Sequence, residues 1–378
     1  MAGIYIHIPF CKQACHYCDF HFSTSLTYKD EMMNVLKKEL RMQKAYLSGE
    51  EIQTIYFGGG TPSLLPAAAL NTLTDEIFHL YPVAANAEIT MEANPDDLSQ
   101  QQVKELRTTP VNRFSIGIQS FYDEDLKWMN RAHRASEAEA SVKRVQDAGF
   151  GNITIDLIYG YPLLSDEKWK SNIRKALDLE VPHISSYSLT VEPKTALAHM
   201  IKAGKERNVD DEQAAAQFER LMAELADAGF IHYEISNFCK EGHHYRHNSN
   251  YWKGAKYLGI GPSAHSFNGY ERQWNIANNA KYIASIETGI IPFEHEVLND
   301  TQCLNEYIMI SLRTMYGCDL DKLHAEFDRA YVEELIGKAQ VFIGRGWLEH
   351  TGNLLRTTQA GKLYADHIAS ELFIEEKK

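Results

Sequence analysis

Apolar and polar positions follow two alternating rhythms over the first half of the chain. Residues 3–9 alternate with a period of two, as a strand does. Beyond about Tyr28, Met32, Val35, Leu36 and Leu40 recur at helical spacing, while Lys37, Lys38, Glu39 and Arg41 take the opposite face. The pair of rhythms then repeats, predicting strands over 52–57, 87–92, 112–118, 152–158 and 183–189, with helices near 67–80, 99–107, 136–148 and 166–179 between them. Six strands alternating with helices imply a parallel sheet with right-handed crossovers. Their C-terminal ends share one edge, where α/β folds bind ligands. After about residue 230 the rhythm breaks into glycine- and aromatic-rich sequence, and the tail resumes with helices over 302–314 and 331–343, a hairpin over 346–357 turning at Thr351-Gly352-Asn353, and a helix over 359–372. The expected fold class is therefore α/β, divided into a core over 1–235, a connecting segment over 236–300 and a small α+β domain over 301–378.

Composition narrows the function classes. With 378 residues, 44% of them hydrophobic, the chain can bury one large core or two. A net charge of −13 excludes a continuous basic surface for nucleic acid while allowing a local basic pocket. The tail's helices and hairpin are winged-helix-like, but without basic charge a structural or protein-contact role is expected of them. Three of the six cysteines sit together near the start, and Cys239, Cys303 and Cys318 are dispersed, so no disulfide framework is expected. No leader-like segment precedes the first strand and no apolar run reaches the roughly 18 residues of a membrane span, which together suggest an unprocessed cytoplasmic protein.

The candidate chemistry falls on the C-terminal edge of the predicted strands. Cys11, Cys15 and Cys18 form C-x3-C-x2-C directly after the first strand; thiolates so spaced on a short loop can hold a soft metal or an iron-sulfur cluster, and three of them would leave one iron of a cubane open. Cys15 and Cys18 alone could equally be half a zinc site or a redox pair. Gly58-Gly59-Gly60-Thr61 ends the second strand and is either a tight turn or bare backbone for a polar ligand. Glu92, Gln119 and Arg131 each have an ordinary reading, as an exposed carboxylate, a strand cap and a solvated cation. Asp156 is different, because ITIDLIYGYP sets a carboxylate inside an apolar strand, where it needs a partner or a ligand.

In order and spacing, YIHIPFC-x3-C-x2-C, FGGGTPS, MEANP, GIQSF, NRAH and DLIYGYP closely resemble the radical S-adenosylmethionine (radical SAM) proteins of the HemN/HemW group, over nearly the whole chain. That group contains oxygen-independent coproporphyrinogen III oxidases and HemW-type haem chaperones. The resemblance implies a partial (β/α)6 barrel in which Cys11, Cys15 and Cys18 bind a [4Fe-4S] cluster whose open iron takes the amino and carboxylate groups of S-adenosylmethionine. It further implies that Tyr5 and Tyr17 flank this site, that Gly59, Gly60 and Thr61 meet the methionine moiety through backbone groups, and that Glu92, Gln119, Arg131 and Asp156 make polar contacts to S-adenosylmethionine. Electron transfer from the cluster would cleave the sulfonium to a deoxyadenosyl radical that the barrel must shield.

Two departures from the oxidase pattern point to the chaperone branch. Phe20 stands where a fourth cysteine would complete C-x3-C-x2-C-x-C, and only four residues precede Tyr5. Arg246-His247-Asn248-Ser249-Asn250-Tyr251-Trp252 also matches the H-N-x-x-Y-W motif of that branch. The implied function is to bind haem and pass it to acceptor haem proteins, membrane-associated respiratory ones included, with a homodimer left open; the alternative is radical decarboxylation of a porphyrinogen propionate. His247 is the candidate for contact with haem iron. A structural or interface role is slightly favoured for it, with zinc binding by Cys239, His243, His244 and His247 as a further alternative. No catalytic residue is assigned.

Overall fold

A computed structural model describes residues 2–375. Six parallel strands form its centre in sequence order: β1 (Ala2–Ile8), β2 (Ile52–Gly59), β3 (Val83–Ala93), β4 (Arg113–Gln119), β5 (Ile153–Tyr159) and β6 (His183–Ser188). Helices at Lys29–Met42, Ala67–Leu80, Gln100–Leu106, Ala135–Asp147 and Asp166–Asp178 connect them, as the hydrophobic rhythm predicts. Two of these helices start with the expected chemistry, since the side chains of Ser99 and Ser165 accept from the backbone amides of Gln102 and Lys168.

Alternation along each strand sorts side chains onto two faces. Ile4, Ile6, Ile8, Ile55, Phe57, Ile89, Met91, Phe114, Ile116, Ile153, Ile155 and Leu157 belong to the main apolar core, beneath the helices. The other face carries Tyr5, Tyr56, Glu88, Thr90, Glu92, Arg113, Ser115, Thr154, Asp156, His183 and Ser185. The sheet curls around this polar face. One ring, Tyr245, lies against Tyr56 of β2, under the guanidinium of Arg113 of β4, and edge-on to His183 of β6. Strands about 4.8 Å apart in a flat sheet could not bring those three positions to one side chain.

The segment expected to connect two domains instead enlarges the sheet. β7 (Ile231–Glu234) and β8 (Asn237–Cys239) pair with each other across the 235/236 boundary and extend the sheet beyond β6. β9 (Lys256–Ile260) pairs parallel to β1 on its free side, followed outward by β10 (His265–Phe267), β11 (Glu271–Asn275) and β12 (Phe293–Val297). The result is one sheet of twelve strands among the described residues. A buried carboxylate fastens this extension to the first helix: Glu39 accepts from the Gly261 amide at 2.8 Å, Asn275 Nδ2 at 2.6 Å and the Tyr282 hydroxyl. Burial pushes the Glu39 carboxyl up to about 7 against the pull of these donors.

The C-terminal α+β unit has its own core, built from helices Asp300–Leu312, Leu320–Glu326, Arg329–Gly344 and Ala365–Leu372 around a small sheet of β13 (Cys318–Asp319), β14 (Leu348–Thr351) and β15 (Leu354–Thr357). The hairpin turns at Gly352, whose φ of 63° suits glycine. The unit attaches where Thr314 bridges Glu234 and the Ile235 amide donates to the Arg313 carbonyl.

Candidate functional site

The C-terminal ends of β1–β6 open into a cavity of about 410 Å³. Eleven of the thirteen residues singled out from the sequence line it: Cys11, Cys15, Cys18, Tyr17, Gly59, Gly60, Thr61, Glu92, Gln119, Arg131 and Asp156. Local bonding explains how the cysteine loop is held. The Cys11 amide donates to the Ser23 carbonyl and the Ser23 amide to that of Pro9, while the His16 amide reaches Met129 and the Leu197 amide reaches His16. From β1, His7 Nε2 meets the His21 carbonyl at 2.8 Å. Cys11 Sγ accepts from Thr61 Oγ1 at 3.3 Å, and Arg131 Nη1 lies 3.5 Å from Cys15 Sγ. No three His, Cys, Asp or Glu side chains among the described residues converge as around a single ion. The three thiols line the same cavity wall. The alternative zinc set of Cys239, His243, His244 and His247 is likewise not gathered as around an ion.

The glycine run has the tight-turn role expected of it. A Cβ on Gly60 would stand 2.6 Å from the Phe10 carbonyl oxygen and one on Gly59, at φ 101°, 2.6 Å from the His7 ring, so glycine lets the cysteine loop close on β2. The amides are already committed, Gly59 to Glu92 Oε2 at 3.2 Å, Gly60 to Ile8 and Thr61 to Phe10. What this backbone can still offer a ligand is carbonyl oxygen, an acceptor for an ammonium group.

Two recessed carboxylates face each other's field across the cavity. Burial pushes Glu92 up to about 8, with Asp156 adding to the rise, although Tyr56 and the Gly59 amide donate to it. Burial pushes Asp156 up to about 6, opposed by Ser115 and by Arg113 and Arg131. Arg131 is anchored by Asn94 Oδ1 at 2.6 Å and the Gly117 carbonyl at 2.8 Å. A wall of carboxylates and carbonyls with one fixed cation beside the thiols suits a ligand bearing ammonium, hydroxyl and carboxylate groups together. Gln119 ends β4 at φ 66°, an unusual backbone for a side chain at a strand end. Asn94, Ser115 and Tyr187 also line the cavity; strand alternation would have pointed to all three, each two residues beyond an inner-face side chain, Glu92, Arg113 and Ser185 respectively. Phe20 stands on the rim, 67% exposed.

Two expected site residues lie elsewhere. Tyr5 is one layer below the cavity, bonded to His7 Nδ1 at 3.1 Å and stacked on Tyr56. His247 lies at the opposite end of the curled sheet. There Nδ1 meets Thr54 Oγ1 at 2.8 Å, Nε2 meets the Tyr251 hydroxyl at 2.9 Å, and the ring stacks on Tyr56 at 4.9 Å. Both ring nitrogens are engaged and burial pulls the imidazole down to about 3, so it is a neutral packed group and an iron bond at Nε2 requires Tyr251 to leave.

Residues 5–176 match the family model of the radical SAM superfamily. The chain is 34% identical to "Heme chaperone HemW" of Bacillus subtilis over 97% of its length and 98% of that protein, and 34% identical to its Escherichia coli namesake over 99% and 98%. A mouse protein described as "Radical S-adenosyl methionine domain-containing protein 1, mitochondrial" is 34% identical over 70% of the chain and 60% of the relative. Among solved structures, coproporphyrinogen III oxidase (HemN) from Escherichia coli superposes with a TM-score of 0.86 over 98% of this chain and 90% of that one, and at 20% identity this shows a shared fold. Near-complete coverage at 34% identity to the two bacterial relatives, together with a thiol-lined cavity at the strand ends, makes the chain a member of the HemW family of radical SAM proteins.

Proposed function

We propose that the protein is a haem chaperone, binding haem and releasing it to acceptor haem proteins, with a [4Fe-4S] cluster on Cys11, Cys15 and Cys18 and S-adenosylmethionine beside it. The observation that carries this reading is the rim of the cavity, where Phe20 replaces a possible fourth thiol in a chain otherwise similar along its whole length to proteins named as haem chaperones. The cluster would supply an electron-rich centre with one iron open to the amino and carboxylate groups of the methionine moiety. The chain's own residues would orient that ligand. Glycine carbonyls accept from the ammonium, Glu92 and Asp156 accept from ammonium or ribose hydroxyls, and the cavity wall excludes bulk water.

The fold shared with the oxidase keeps radical decarboxylation of a porphyrinogen as the second reading. One anaerobic experiment separates the two. Reconstituted protein is given haem and coproporphyrinogen III in parallel; the chaperone reading expects stoichiometric haem binding seen as a Soret band and no protoporphyrinogen, and turnover of coproporphyrinogen III would overturn it.

A further inference from the structure

We infer that Arg313 and Glu234 are positioning residues that tie the C-terminal unit to the cavity, by fixing through Asn237 the direction in which the Ser185 hydroxyl points and so the hydrogen bonds available to Asp156. The inference rests on the reading of Asp156 as a ligand contact.

The chain of groups is continuous. Asp156 and Ser185 are register partners on β5 and β6, with Ser185 able to bond the Asp156 carboxylate. Ser185 Oγ donates to Asn237 Oδ1 at 2.9 Å, Asn237 Nδ2 donates to Glu234 Oε2, and Arg313 Nη2 meets Glu234 Oε1 at 3.4 Å. Arg313 in turn bonds Asp366 and lies over the ring of Trp252, 5.6 Å away. Ser185, Asn237 and Glu234 are all at least 97% buried, so no water competes for these bonds.

Donor and acceptor bookkeeping makes the chain directional. Glu234 also accepts from the Ser236 amide, so with Arg313 both of its oxygens already face donors, although burial pushes its carboxyl up. A carboxyl with N–H donors on both oxygens acts toward Asn237 as the acceptor. Asn237 must therefore turn its NH2 to Glu234 and its carbonyl to Ser185, and the single Ser185 proton goes to Asn237 rather than to Asp156. Asp156 is left with Ser115, at 3.2 and 3.3 Å, as its hydroxyl donor. Remove Arg313 or the Asn237 carbonyl and the Ser185 proton is free for Asp156, which stabilises the ionised carboxylate. The other charged or titratable groups around Asp156 are Glu92 from β3, Arg113 from β4, Arg131 and Tyr187, and none of them changes in these variants.

The test measures S-adenosylmethionine affinity of the reconstituted full chain by calorimetry between pH 5.5 and 8.5, with melting temperature and cluster absorbance as controls. Asn237→Ala, and more weakly Arg313→Met, should hold affinity to lower pH, by about twofold at pH 5.5 for a drop of about half a pKa unit from about 6. Arg313→Lys should restore the wild-type profile and Ser185→Ala should not reproduce the shift. A folded Asn237→Ala protein whose profile superposes on wild type overturns the relay. Absence of binding by wild type overturns the cavity reading instead; the relay is then decided by carbon NMR titration of Asp156, assigned with Asp156→Asn, which should titrate lower in Asn237→Ala and overturns the relay if unmoved.

Discussion

The two ends of the curled sheet use the same inner face in opposite ways. At the strand C-termini, Cys11, Cys15, Cys18, Glu92, Asp156 and Arg131 line open space, and burial holds both carboxylates above their ordinary range because protein donors do not fully meet their need. At the other end most polar groups are closed on each other, although Arg113 Nε and the Tyr245 hydroxyl have no hydrogen-bond partner among the described residues. Glu88 accepts the amides of Arg246 and His247, Arg113 bonds Asn152 and Thr154, and His183 sits between Thr154 and Tyr233. A polar interior is thus a site where partners are missing and a scaffold where they are supplied.

The contrast can be broken in order of effect. Replacing Cys11, Cys15 and Cys18 together with serine should abolish cluster absorbance outright while leaving the far-ultraviolet circular dichroism and melting temperature of the apoprotein nearly unchanged; retained absorbance would refute the ligand assignment. His247→Ala does the reverse at the closed end, stranding Thr54 and Tyr251 and opening a cavity, with an expected loss of about 2–4 kcal/mol in urea unfolding. If haem also leaves this variant but stays on Tyr251→Phe, whose loss frees Nε2, His247 is an iron contact after all; haem retained on the alanine variant excludes that. Glu39 gives a smaller, pH-dependent effect. Its folded carboxyl, at about 7, lies above its unfolded value, so the folded state holds the proton longer and stability falls as pH rises from about 4.5 to 7. Glu39→Gln should flatten that part of the stability curve in denaturant titrations. Phe20→Ala should change least, within about 0.5 kcal/mol, since the ring is exposed; a large loss would mean that the rim aromatic is structural.

The six parallel strands and their helices were legible because their apolar spacing is long and regular. So were the site residues at the strand ends, since topology alone sends those positions to one edge. Tyr5 and His247 were harder to place. The inner face of β1, β2, β3, β4, β5 and β6 is polar from end to end, so a polar residue on it can belong to the cavity or to the plug beneath, and only the curl of the sheet decides. β7 to β12 escaped notice for a different reason. They are three to five residues long, mostly antiparallel, and their register depends on partners far away in sequence. Among the missed helices, Ala196–Lys202 and Asp211–Asp227 lie in the same stretch after β6.

The parallel pairing of β9 with β1 bears on how the chain is made. β1 leaves the ribosome long before β9, and one flank of it stays without a neighbour until Lys256–Ile260 has been synthesised. At about 5–20 residues per second that wait lasts tens of seconds, with Ile4, Ile6 and the three thiols beside an unpaired strand edge. Loading of the proposed cluster and completion of the sheet thus overlap in time on the same nascent segment, and a chain stalled before residue 256 should aggregate through β1.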